Sequence, residues 1–122
     1  MPRDDAVISE QDLSIYAAAM TCNGFFGADS YYMNHKANSA YAQTAANDGR
    51  LDMPVLFIAG RYDYTCECTD SDLAKPQIDL CRNLTTGVID SGHWMAQEKP
   101  VELNAALSHW LVTEVPDVWP LR

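Results

Sequence analysis

Long apolar runs and clusters of basic residues are both missing from this 122-residue sequence. Apolar stretches such as residues 54–59 fall far short of the roughly 20 residues that a membrane-spanning helix needs. Lysine and arginine together number 8 against 17 aspartates and glutamates, which gives a formal net charge of −9. Because phosphate groups and anionic lipid headgroups are bound by clustered cations, we expect no nucleic-acid partner and no membrane span.

The sequence also lacks the patterns of a secretory signal and of a structural zinc site. Residues 1–5 contain no basic segment followed by an apolar one, so we expect a cytoplasmic protein. The four cysteines, Cys22, Cys66, Cys68 and Cys81, are then expected to be reduced thiols. Paired zinc ligands are usually separated by two or more residues, and no second pair follows Cys66-x-Cys68. We therefore predict no metal site.

Helical patterns dominate the first 50 residues. Ser9 is a typical capping residue, and the apolar residues after it recur at the spacing of one helix face. This pattern predicts an amphipathic helix that runs to about Cys22. A second helix is predicted over residues 28–36, and a weak helix followed by a boundary loop over residues 37–51.

The pattern changes after residue 50. Residues 54–59 (PVLFIA) form a continuous apolar run that ends at Gly60, which is typical of a strand buried on both faces. A helix over residues 71–81, a second β-rich run over residues 85–90 and a helix opened by Pro100 follow. This order predicts a parallel unit of the α/β fold class. Since two parallel strands make an incomplete sheet, we expect part of a larger one.

Two side chains near the ends of these strands could act together. Asp63 lies shortly after Gly60 and His93 follows the second strand, so both are expected at one sheet edge, about 2.6–3.2 Å apart. A carboxylate on one imidazole nitrogen would leave the other nitrogen to act as a base. The alternative is a turn-capping aspartate beside an ordinary polar histidine. His35 and His109 lie on predicted helices and are interpreted as surface or packing residues.

Three longer segments carry a recognisable pattern. The sequence resembles the epoxide hydrolases, within the α/β-hydrolase superfamily, in all three. The acid strand is matched by residues 54–63 (PVLFIAGRYD) and the histidine segment by residues 91–100 (SGHWMAQEKP). A cap segment is matched by residues 24–34 (GFFGADSYYMN). Related dehalogenases tend to carry a phenylalanine where this sequence has a tryptophan after the histidine. The resemblance implies a helical cap remnant over residues 1–50 and the C-terminal part of an α/β-hydrolase core over residues 51–122.

The resemblance also implies roles for individual side chains. In epoxide hydrolases the acid orients the histidine, which acts as general base, and a cap tyrosine donates a proton to the epoxide oxygen. The matching positions here are Asp63, His93 and Tyr32. A phenol suits the last role, because opening an epoxide leaves an alkoxide that it can protonate. Tyr31 is the alternative if the register differs by one, and both tyrosines could instead be packing aromatics. No metal and no organic cofactor is implied.

No counterpart of the family's aspartate nucleophile is found in this sequence. The oxyanion loop and a second cap tyrosine are likewise without a match. We therefore expect a C-terminal fragment, which binds a small apolar epoxide only as part of a complete enzyme. A missing N-terminal half, or a second copy in a homo-oligomer, would complete the sheet. The alternatives are another α/β-hydrolase, such as a haloalkane dehalogenase or an esterase, and a non-catalytic remnant.

Overall fold

In a computed structural model that describes residues 4–118, helices precede and flank a parallel pair of strands. The elements are α1 (Glu10–Asn23), α2 (Phe26–Tyr31), α3 (His35–Ala42), β1 (Leu51–Gly60), α4 (Lys75–Leu80), β2 (Cys81–Ile89), α5 (Met95–Glu98) and α6 (Pro100–Glu114). Short 3₁₀ turns lie at Ala46–Gly49, Asp72–Ala74 and Pro116–Val118. This mixture is compatible with the α/β class. Over the described residues, no helix has the length and apolar character needed to cross a membrane.

The chain divides into two units, Met1–Gly49 and Arg50–Arg122, called here the helical unit and the sheet unit. In the helical unit, the Ser9 side chain accepts a hydrogen bond from the amide of Asp12, and the Asp12 carboxylate accepts one from the amide of Ser9. This capping box begins α1 at the predicted position. The helix ends at Asn23, where Gly24 takes a φ of 69°, which favours glycine.

The single helix predicted over residues 28–36 is wrong, because the structure has two helices there. α2 ends at Tyr31, and α3 begins only at His35. The Asn34 side chain donates to the carbonyl of Ser30, and the Ser30 hydroxyl donates to the carbonyl of Gly27. Such side-chain bonds compete with helix continuation, which is consistent with the break between α2 and α3.

Strands β1 and β2 run parallel and form the sheet of the described residues. Val55 pairs with Leu84 and Gly60 pairs with Ile89, with an irregularity in the register before Pro54. Both strands are longer than predicted from the apolar runs, since pairing continues into polar residues. The helix predicted over residues 71–81 is split into a 3₁₀ turn and α4. α6 begins at Pro100, as predicted.

Burial in the sheet unit is slight. Among the described residues, only Ala59 and Ser91 are almost fully buried, at 8% and 2% exposed. The apolar run of the first strand, which is typical of burial on both faces, is therefore only partly covered in this chain. α6 packs beside β2, where the Trp110 indole Nε1 donates to Thr85 Oγ1 at 3.2 Å, but Val88 remains 48% exposed. Two strands and a few short helices are too few to cover both faces of the sheet.

Candidate active site

Asp63 and His93 meet just beyond the carboxyl ends of β1 and β2. Backbone pairing continues past the strands, where the amide of Tyr62 donates to the carbonyl of Ser91 at 3.0 Å. His93 Nδ1 and Asp63 Oδ2 are 3.0 Å apart, within the range expected from the sequence. The side chains of Asp63 and His93 are called the Asp63–His93 pair below.

The loop that carries His93 packs directly on the backbone of Gly60. A Cβ atom at position 60 would lie 2.7 Å from the carbonyl oxygen of Gly92 and 2.9 Å from that of Ser91. Any larger residue would therefore push the His93 loop away from the end of β1. The adjacent Ser91 hydroxyl is buried and has no hydrogen-bond partner among the described residues.

One oxygen of the Asp63 carboxylate accepts hydrogen bonds from backbone amides, and the other contacts His93. Its Oδ1 accepts the amides of Thr65 and Cys66, each at 3.1 Å, and its Oδ2 contacts His93. Asp63 therefore caps its own turn and also contacts the histidine, so the two interpretations of this residue are compatible. The hydrogen bond with His93 lowers the pKa of Asp63 most, partial burial opposes it, and the Cys66 amide lowers it further.

This geometry can orient an imidazole for base chemistry. An ionised Asp63 on Nδ1 favours the tautomer that carries its proton on that nitrogen. The Nε2 of His93 is then the nitrogen that can accept a proton. The His93 side chain is 47% exposed and that of Asp63 is 14% exposed, so a water molecule can approach the imidazole.

Glu98 holds the backbone on both sides of His93, a contact that the sequence analysis missed. Its Oε2 accepts the amide of Gly92 at 2.7 Å and its Oε1 accepts the amide of Trp94 at 3.2 Å. Glu98 ends the short helix α5, which was not predicted either. A carboxylate four residues after Trp94, within one helical turn, was the available signal, because such a side chain can reach back to the amides before it.

We predict that Glu98→Ala loosens the His93 loop. Hydrogen bonds to a charged group contribute about 1.5–3 kcal/mol, so the amides of Gly92 and Trp94 should exchange with solvent at least about tenfold faster. Hydrogen exchange followed by NMR measures this directly. Glu102→Ala is the matched control, because Glu102 is an exposed carboxylate in the first turn of α6. Equal exchange rates in the two variants would contradict the role of Glu98.

Tyr32 lies in the helical unit, directly after α2, whereas the Asp63–His93 pair lies in the sheet unit. Tyr32 and Tyr31 are 69% and 74% exposed, and their rings meet edge to face with centroids 5.5 Å apart. The role of Tyr32 toward the Asp63–His93 pair stays a prediction. His109 lies on α6, a predicted helix, whereas His35 is the first residue of α3 and does not lie on the single helix predicted over residues 28–36.

The chain is similar in sequence to proteins named epoxide hydrolases. It is 36% identical over 108 residues to Epoxide hydrolase A of Mycobacterium tuberculosis, covering 87% of this chain and 32% of that protein. It is 32% identical over 108 residues to Epoxide hydrolase B of the same organism, covering 87% of this chain and 30% of that protein.

A rat protein named Bifunctional epoxide hydrolase 2 is 27% identical over 115 residues, covering 93% of this chain and 20% of that protein. No model of a protein family matches the chain. In all three comparisons, the chain spans a third or less of the length of the curated relative. The similarities support a relationship with epoxide hydrolases.

Proposed function

From this relationship, we propose that the chain carries the base and the orienting acid of an epoxide hydrolase. His93 is the general base, Asp63 orients it, and the nucleophile lies outside these 122 residues. The observation that carries the proposal is the 3.0 Å contact between His93 Nδ1 and Asp63 Oδ2 at the ends of two parallel strands. Ligands in open α/β sheets collect at this edge. The helical unit is the cap segment that carries Tyr32.

The reaction proceeds in two steps. In the first, a carboxylate attacks one epoxide carbon, the carbon–oxygen bond breaks, and Tyr32 donates its phenolic proton to the oxygen that leaves. The product is a hydroxy ester. In the second step, His93 Nε2 takes a proton from a water molecule, whose oxygen adds to the ester carbonyl. Asp63 stabilises the imidazolium that forms. When the adduct collapses, the leaving alkoxide takes that proton back from His93 and becomes the diol. The carboxyl group is released as the acid, and the transfer of its proton to the Tyr32 phenolate restores both groups.

A chimaera tests the proposal. In it, this chain replaces the segment of Mycobacterium tuberculosis Epoxide hydrolase A that aligns with it, and the remainder of that protein is expected to provide the nucleophile. We expect conversion of a small aromatic epoxide to its diol. Tyr32→Phe should lower the rate of ester formation by about 10²-fold or more, because it removes a general acid. Tyr31→Phe is the matched control, since the two phenols are neighbours of similar exposure.

Three outcomes would overturn parts of the proposal. A chimaera that melts cooperatively but forms no diol would remove the epoxide assignment. One that instead cleaves a haloalkane or a simple ester would favour another α/β-hydrolase. A larger loss from Tyr31→Phe than from Tyr32→Phe would move the proton donor to the neighbouring residue.

A further inference from the structure

A thiol lies beside the Asp63–His93 pair. Asp63, Cys66 and His93 each offer one atom that can bind a metal ion. These three atoms all lie within 4.8 Å of one another. The Cys66-x-Cys68 spacing gave no reason to expect this cluster, because it forms across two loops that the parallel strands bring to one edge. Cys66 is a free thiol and is exposed.

We propose that Asp63, Cys66 and His93 form a binding site for Zn²⁺. A thiolate, an imidazole and a carboxylate are the three donor types that zinc takes in proteins, with a fourth position open to water. Calcium and magnesium instead prefer sites made entirely of oxygen ligands. The mixed donor set therefore selects a thiophilic cation.

The distances suit such a cation after a small movement. Zinc bonds of about 2.0–2.3 Å in a tetrahedron place neighbouring ligand atoms about 3.3–3.8 Å apart. The contact between Asp63 Oδ2 and His93 Nδ1 is slightly shorter, at 3.0 Å, and the largest separation in the cluster is within 4.8 Å. Rotation of the exposed Cys66 side chain is the main adjustment required.

Two of the ligands are already held in place. Asp63 Oδ1 accepts the amides of Thr65 and Cys66, and the backbone on both sides of His93 is bound by Glu98. Such outer contacts orient ligands and strengthen metal binding. Cys68 does not join the cluster, because its Sγ lies 3.0 Å from the carbonyl oxygen of Cys66 and donates to it.

Zinc in this site would take the position of the proton that Asp63 and His93 share. The imidazole would then act as a metal ligand, and its orientation as a base would be lost. We therefore expect zinc to inhibit any reaction that uses the pair. The binding site itself does not depend on the proposed function, since all three ligands belong to this chain and no nucleophile is needed.

The test is a zinc titration of the reduced 122-residue chain against a chromogenic chelator. We expect one equivalent of Zn²⁺ to bind. Loss of a contact that only orients a metal ligand typically weakens metal affinity about 10–100-fold. Cys66→Ser and His93→Gln remove direct ligands, so each should weaken zinc affinity at least about tenfold. Cys22→Ser and Cys68→Ser are matched thiol controls and should leave the affinity unchanged. In NMR spectra, the ring signals of His93 should shift with zinc, whereas those of His35 and His109 should not.

The proposal is overturned if Cys66→Ser or His93→Gln binds zinc as tightly as the parent chain. It is also overturned if Cys68→Ser weakens binding as much as Cys66→Ser without any effect of His93→Gln, since that pattern describes a thiol pair. The NMR measurement on the parent chain keeps the test decisive should a variant fail to fold.

Discussion

Replacing His93 by glutamine in the chimaera is expected to lower diol formation by about 10²–10⁴-fold, the usual contribution of a general base. Glutamine preserves much of the side-chain volume but cannot take a proton from water. The first step does not use His93 as a base, so the ester should still form. With the second step blocked, the enzyme should accumulate as the hydroxy ester.

Two measurements check this expectation. The single-turnover rate of epoxide disappearance should change little, and the intact mass of the protein should increase by the mass of one epoxide. His35→Gln and His109→Gln are matched controls, because these histidines lie on α3 and α6 and neither is part of the Asp63–His93 pair. Full turnover by the His93 variant, or loss of activity without accumulated ester, would contradict the assigned base.

The chain on its own is expected to hydrolyse no epoxide and to bind a hydrophobic dye or self-associate. Within the described residues, each strand of the sheet pairs along one edge only, so the backbone groups of the other edge are open to new partners. Exposed large apolar side chains of the sheet unit include Leu51, Met53, Leu73, Ile78, Leu80, Val88, Val101, Leu107, Leu111 and Val112. Each one left in water forgoes roughly 1.5–3 kcal/mol of a total stability of about 5–15 kcal/mol.

Dye fluorescence and light scattering of the purified chain measure this effect, and the chimaera, with its sheet completed, should show neither signal. Val88→Lys should lower both signals, because a charge on an open strand opposes edge-to-edge pairing. Val101→Lys is the matched control, since Val101 is even more exposed but lies on α6. A monomeric chain that melts cooperatively and forms diol would show that a nucleophile lies within these residues.

The parallel strands and the Asp63–His93 contact could be predicted because they depend on simple rules. An apolar run ended by glycine is a local signal of a strand, and parallel strands place their carboxyl ends together. The helix over residues 28–36 was predicted wrongly because apolar spacing does not report that Ser30 and Asn34 bond the backbone instead. The first strand is only partly covered, because an apolar sequence shows what a strand can bury and not whether anything covers it.

The contacts of Glu98 and Cys66 were not predicted, for a different reason. Each depends on where a loop passes relative to another, and loop paths have no periodic signal in the sequence. Glu98 is close to Gly92 in sequence, but its role depends on α5, a helix too short to leave a pattern. Cys66 reaches His93 only because the Asp63 turn directs the loop toward the second strand.

The sequence separations of these contacts also suggest the order in which they form during folding. Glu98 reaches the amides of Gly92 and Trp94 across a single short loop, and contacts of this kind close on a timescale of about 10–100 ns. The contact between Asp63 and His93 spans 30 positions and requires the parallel strands to pair first, which is a slower, non-local event. We therefore expect the His93 loop to reach its native conformation before Asp63 contacts it. Asp63 would then bind a histidine whose backbone Glu98 has already fixed.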